Sequence, residues 1–131
     1  MFVDSSAIVA MLLNEPDGLN IYERLRRSDR RWISALVVYE TVLALMRVSH
    51  KDHETVLDTV NSFISRHNFI FVDIDQGIAK LAVEAFGQYG KGRHKAKLNM
   101  GDCFSYACAK KLKQPLLFKG NEFNQTDIKC A

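Results

Sequence analysis

The chain has 131 residues, 47% of them hydrophobic and 25% charged, with a formal net charge of +3. One domain of this size buries a core without disulfides, and no apolar run approaches the length of a membrane span. No basic segment followed by an apolar stretch and a cleavage site opens the chain, so a cytoplasmic protein is expected.

Met1-Phe2-Val3-Asp4 opens as a short strand, and a helix is predicted over Ala7–Leu13. Pro16, within Asn14-Glu15-Pro16-Asp17-Gly18, breaks that helix before a second one over Leu19–Arg27. Trp32-Ile33 reads as a strand, and Ser34 is placed to cap a helix running to about Val48. Asp52 caps the next helix, in which Val56, Val60, Phe63 and Ile64 recur at helical spacing. Phe69-Ile70-Phe71-Val72 has the composition of a fully buried strand, and the helix after it carries Ile78, Leu81, Ala82, Ala85 and Phe86 on one face. Tyr89-Gly90-Lys91-Gly92-Arg93 starts an exposed basic loop. A helix over Gly101–Leu112, a strand over Pro115–Phe118 and a polar tail from Gly120 complete the chain.

Short apolar strands alternating with helices predict an α/β fold, a parallel sheet covered on both faces with right-handed crossovers. Functional groups of such sheets gather at the carboxyl ends of the strands. The three cysteines lack a Cys-x-x-Cys pair, and Cys103 and Cys108 are five apart, so reduced packing thiols are expected rather than a zinc site or a bridge. Trp32 and most of the phenylalanines read as core. The four histidines, His50, His53, His67 and His94, read as solvent-facing.

Three carboxylates stand where an ordinary core would not put them. Asp4 ends the first strand, Glu40 interrupts the apolar run Ala35–Leu43, and Asp102 opens the small, apolar helix pattern Gly101–Ala107. An ionised carboxylate in apolar surroundings is costly unless a positive charge offsets it, and three converging carboxylates repel one another. A divalent cation is the natural counter-charge. Each residue also has an ordinary reading: Asp4 as a helix cap, Glu40 as a surface residue of its helix, Asp102 as an acid favoured in a first helical turn.

Phe2-Val3-Asp4-Ser5-Ser6-Ala7, the helix with Glu40, Leu98-Asn99-Met100-Gly101-Asp102-Cys103-Phe104-Ser105-Tyr106-Ala107 and the tail Leu117–Ile128 resemble the PIN-domain ribonucleases, and more closely their VapC-type toxins. The likeness spans essentially the whole chain, as a single PIN domain over residues 1–131. It implies a Rossmann-like sheet of four to five parallel strands and hydrolysis of RNA that depends on Mg²⁺ or Mn²⁺. It also implies a homodimer and a small VapB-type antitoxin as partner.

On that pattern Asp4, Glu40 and Asp102 form the catalytic acidic cluster. Asp4 and Asp102 are expected as direct metal ligands, and Glu40 as a ligand or a holder of water. Ser6 is expected to orient Asp4 or a water by hydrogen bonding. The family's fourth acidic position, often Asp before the Phe of the last motif, is filled here by Glu122 after Asn121. Asp127 also recurs in the tail, with a turn or cap as its plain alternative. Lys91, Arg93, Lys95 and Lys97 are candidate RNA-phosphate contacts, or simply an exposed flexible loop.

Two other readings share the α/β pattern. A receiver-type phosphoacceptor would use Asp73 and Lys119, but Asp4 is followed by Ser5-Ser6 rather than a second acid. A non-catalytic module of the same fold would act through RNA or partner contacts alone.

Overall fold

The computed structural model describes residues 1–131. Four short strands, β1 (Phe2–Val3), β2 (Arg31–Ile33), β3 (Phe69–Phe71) and β4 (Leu116–Leu117), form one parallel sheet in the order β3-β2-β1-β4. Helices α1 (Ser5–Leu12) and α2 (Gly18–Arg26) connect β1 to β2. Helices α3 (Ala35–Ser49) and α4 (His53–Arg66) connect β2 to β3, and α5 (Gln76–Tyr89) and α6 (Met100–Leu112) return the chain to β4.

The expected starts and stops are close. The Ser34 hydroxyl oxygen accepts from the N–H of Val37, and an Asp52 carboxylate oxygen accepts from the N–H of Thr55, so both cap as the sequence predicts. Helix α1 begins at Ser5, two residues earlier than expected, because Asp4 caps it. Asp75 caps α5 by accepting from Ile78 N–H at 2.8 Å, whereas Asp73 lies exposed before it.

The core is one cluster around β1 and β4, where Phe2, Val3, Leu116 and Leu117 are all fully buried. Two expectations need correction. Strand β3 is an exposed edge, with Ile70 and Phe71 39% and 52% accessible, because it pairs only with β2 and helices do not close over it. Phe86 is 41% exposed; the inward row of α5 is Ile78, Ala82, Ala85 and Tyr89, which follows the alternating four- and three-residue steps of a helix face.

The tail is less polar in its placement than in its composition. Phe123 and Ile128 are buried, and Cys130 makes a single-residue parallel bridge to Leu116 beyond a 3₁₀ turn at Phe123–Gln125. His67 and His94 are half-buried rather than solvent-facing, His67 packed against Tyr22 and Phe63 and His94 against Tyr89. Both helical cysteines are buried and free, as expected. No helix is long and apolar enough to cross a membrane.

The chain runs outward from β1 to β2 and β3, then crosses back to place β4 on the other side of β1. The carboxyl ends of β1 and β4 therefore flank the point where the strand order reverses, the usual crevice of an open α/β sheet.

Candidate active site

Asp4 stands at that crevice. Its backbone N–H donates to Leu117 O at 2.9 Å, and its side chain is 3% exposed. Oxygen Oδ2 accepts from the Ser6 N–H at 2.9 Å and the Ser6 hydroxyl at 2.6 Å, so the cap reading is correct as far as it goes. Oxygen Oδ1 accepts from the Ser105 hydroxyl of α6 at 2.6 Å. The Ser6 hydroxyl in turn accepts from the Lys119 N–H at 3.0 Å, which ties the segment after β4 to the start of α1.

Glu40 enters from α3. It is half-buried, and its carboxylate occupies the space that a Cβ on Gly101 would fill. Burial, then the charges of Asp4 and Asp102, push its carboxyl up to about 7, against the opposing effect of the Ser5 hydroxyl. Asp102 opens α6 in a capping box with Asn99. Asn99 N–H donates to Asp102 Oδ2 at 2.8 Å, and Asp102 N–H donates to Asn99 Oδ1 at 3.0 Å. Burial raises the Asp102 carboxyl to about 6, with the Asn99 N–H pulling it down and Asp4 and Glu122 adding to the rise. The helix-terminal role and the acidic neighbourhood thus belong to the same residue.

The fourth acidic candidate reaches the same place. Glu122, Asn121, Gln125, Lys95, Lys97, Asn99 and Asp102 line one open hollow. Gly120, at φ +112°, makes the turn there, and Asn121 N–H donates to the Glu122 carboxylate at 2.9 Å. Lys91 and Arg93 do not line the hollow; the Arg93 guanidinium stacks 5.5 Å from the Phe86 ring centre. The basic loop is tied at both ends by Lys91 N–H to Leu98 O at 2.9 Å and Leu98 N–H to Tyr89 O at 3.0 Å, and inside by Ala96 N–H to His94 Nδ1 at 3.1 Å.

Asp127 lies elsewhere. It accepts from the Tyr106 hydroxyl at 2.5 Å and from Lys110 Nζ at 2.7 Å, and those two bonds hold its carboxyl below the usual range. It clasps the tail to α6 and does not join the hollow beside Asp102. Sequence reasoning missed Ser105 and Gly101 as functional positions. Their signals were present: Ser105 follows Asp102 by three, the spacing of one helix face, and Gly101 sits inside a helix where glycine is otherwise unfavourable.

Among Asp4, Glu40, Asp102 and Glu122 there is no Lys or Arg partner, since all five ion pairs of the protein lie elsewhere. The donors are all oxygen, which suits Mg²⁺ or Mn²⁺ and not zinc. Asp4, Glu40 and Asp102 are near enough for their charges to act on one another, and no three of the carboxylates close around a single point. Those features fit a divalent ion that keeps several of its waters. The receiver arrangement does not form. Asp73 follows the edge strand β3, separated from β1 by β2, and the Lys119 ammonium pairs with Glu15.

The family model described as PIN domain matches residues 1–129. The chain belongs to the PIN-domain family. Within that family it is 39% identical over 128 residues to Ribonuclease VapC of Mycolicibacterium smegmatis, covering 98% of this chain and 97% of that protein. It is 40% identical over 128 residues to Ribonuclease VapC30 of Mycobacterium tuberculosis, covering 98% and 95%. This PIN domain shares its fold with VapC20 of Mycobacterium tuberculosis, a toxin described as cleaving the sarcin-ricin loop, at a TM-score of 0.75 and 15% identity over 97% and 95% of the two chains. It shares it also with a chain of a toxin–antitoxin complex from Klebsiella pneumoniae, at a TM-score of 0.71 and 16% identity over 96% and 92%.

Proposed function

We propose that the chain acts as one unit, a divalent-metal-dependent endoribonuclease of the VapC type, the toxin of a pair whose small VapB-type antitoxin restrains it. The observation that carries this reading is the meeting of Asp4, Glu40 and Asp102 at the carboxyl end of β1, with two of the three raised well above the usual carboxylate range and none paired with a cation. Mg²⁺ or Mn²⁺, when bound, polarises a phosphodiester and makes water a stronger nucleophile near neutral pH.

The chain's own residues do the rest. Asp4 and Asp102 supply the direct ligands, and Ser6 orients Asp4. Glu40, pressed against Gly101, takes the third position, as a ligand or by hydrogen-bonding water. Glu122 stands beside Asp102 as the fourth acid, one methylene longer than the Asp common in the family. Lys95 and Lys97, on the same hollow, contact RNA phosphates and position the strand without reading its sequence. Lys91 and Arg93 add to the basic field from outside the hollow.

The partners of this reading are proteins as well as RNA. An apolar groove between α5 and α6 is lined by Ala82, Val83, Phe86, Met100, Cys103 and Phe104, with Val83 and Met100 among the most exposed apolar residues of the chain. A surface of that kind supports a covering partner, whether a second copy in a homodimer or an antitoxin.

The test is RNA cleavage by purified protein free of any partner, with Mg²⁺ or Mn²⁺ and with chelator, beside Asp4→Asn and Asp102→Asn. Cleavage that needs the metal and vanishes in both variants is expected. Full metal-dependent cleavage by Asp4→Asn would sink the proposal. A folded wild type that binds RNA and cuts none from a total cellular RNA pool would favour a non-catalytic module.

A further inference from the structure

Two of the four buried polar residues of this protein, Asp4 and Ser105, hydrogen-bond each other across 101 positions of sequence. Ser105 is 1% exposed and stands on the face of α6 that carries Asp102 one turn earlier. Around Asp4 the accounting of hydrogen bonds is nearly full. A carboxylate offers about four lone-pair directions, two on each oxygen. On Oδ2 both are taken, by the Ser6 N–H and the Ser6 hydroxyl. The direction of that hydroxyl is itself fixed, because its oxygen accepts from Lys119 N–H and its only proton goes to Asp4. On Oδ1 the Ser105 hydroxyl takes one direction. One direction on one oxygen is left.

We infer that Ser105 is a positioning residue of the metal site: with Ser6 it clamps Asp4 from both sides, so that the carboxylate meets a divalent cation through Oδ1 alone. The inference rests on the metal-dependent reading above. Without the Ser105 hydroxyl, Oδ1 loses the donor that fixes its direction, and the carboxylate swings about its Ser6 bonds. A purely structural serine would do something different: its loss would lower stability and leave ion affinity where it was.

The experiment separates these. Wild type, Ser105→Ala, Cys108→Ala and Asp102→Asn are compared for melting temperature in chelator and for Mn²⁺ affinity, read from the electron paramagnetic resonance signal of the free ion. Cys108 is fully buried on the same helix and makes no hydrogen bond to the acidic residues, so its truncation measures lost packing alone. Ser105→Ala is expected to weaken Mn²⁺ binding by on the order of ten- to a hundredfold, the usual effect of removing a group that orients a ligand. Cys108→Ala is expected to melt lower and bind as wild type.

Wild-type affinity in Ser105→Ala, with affinity lost in Asp102→Asn, would overturn this inference alone. A wild type that takes up no Mn²⁺ would overturn the metal reading and this inference with it. Should Ser105→Ala not fold, Ser105→Cys keeps the side-chain outline with only a weak donor, and the same two outcomes decide.

Discussion

The carboxylate of Glu40 on α3 lies in the space that a side chain on Gly101 of α6 would fill. Glycine at that position lets the two helices bring Glu40 and Asp102 to one place, at the usual cost of glycine inside a helix. An added methyl meets only the end of a flexible side chain, so the helices stay put and the carboxylate moves. Gly101→Ala is therefore expected to change stability by no more than about 1 kcal/mol, helix propensity favouring the variant. Cleavage is expected to fall by roughly tenfold or more, since small misplacements at reacting groups are costly. Denaturant unfolding and initial cleavage rates, measured side by side, check it; parallel losses of both would contradict it.

Acid residues raised by burial make the ion-free protein less stable as pH rises. Glu40 goes from 4.5 unfolded to about 7 folded, and Asp102 from 3.8 to about 6. Between each pair of values the folded state holds more protons than the unfolded one, so stability falls across pH 4–7 and levels off above. Mg²⁺ competes with those protons, and its stabilising effect is expected to grow over the same interval. Melting temperature against pH, with and without Mg²⁺, reads both slopes. Glu40→Gln should flatten the ion-free curve, and an unchanged curve would show that Glu40 is not the group responsible.

The Tyr106 hydroxyl and Lys110 hold Asp127, and through it the tail that carries Asn121 and Glu122. Tyr106→Phe removes a hydrogen bond to a charged acceptor, expected to cost about 1–2 kcal/mol. Because Asp127 is held below its usual range, its contribution is present above the unfolded value near 3.8 and lost as pH falls through the lower folded value. Hydrogen exchange of residues 121–128 is expected to speed up in the variant while α5 stays protected; uniform change throughout the protein would argue against a local clasp.

Lys95 and Lys97 line the hollow with Asp102, whereas Lys91 and Arg93 do not. Replacing Lys95 or Lys97 by Ala is expected to raise KM for RNA several-fold with kcat little changed. Each should also lower the salt slope of binding to single-stranded RNA by about 0.7. Lys91→Ala and Arg93→Ala should do less on both counts. Equal effects at all four positions would mean that the loop acts as a diffuse basic field.

What could be read in advance follows the range of the physics. Helix caps at Ser34 and Asp52 are local: a side chain meets an N–H three residues away, and sequence proximity is enough. The acidic residues were visible because charge inside an apolar run is costly wherever the chain goes. Strand β3 misled because Phe69-Ile70-Phe71 has the composition of a central strand, and only the strand order makes it an edge.

The sequence by itself determined the α/β alternation, the likeness to PIN-domain ribonucleases and the identity of Asp4, Glu40 and Asp102 as the unusual carboxylates. Only the tertiary structure decided which neighbours those carboxylates have. Ser105 reaches Asp4 across 101 positions, Gly101 makes room for Glu40, and Asp127 turns away to a clasp on α6. Such contacts depend on where the crossover from β3 to β4 returns the chain, and a pattern of residue types does not encode that distance. Hydrogen bonds and close approaches act over a few ångströms, so their partners exist only once the sheet has brought α6 against the end of β1.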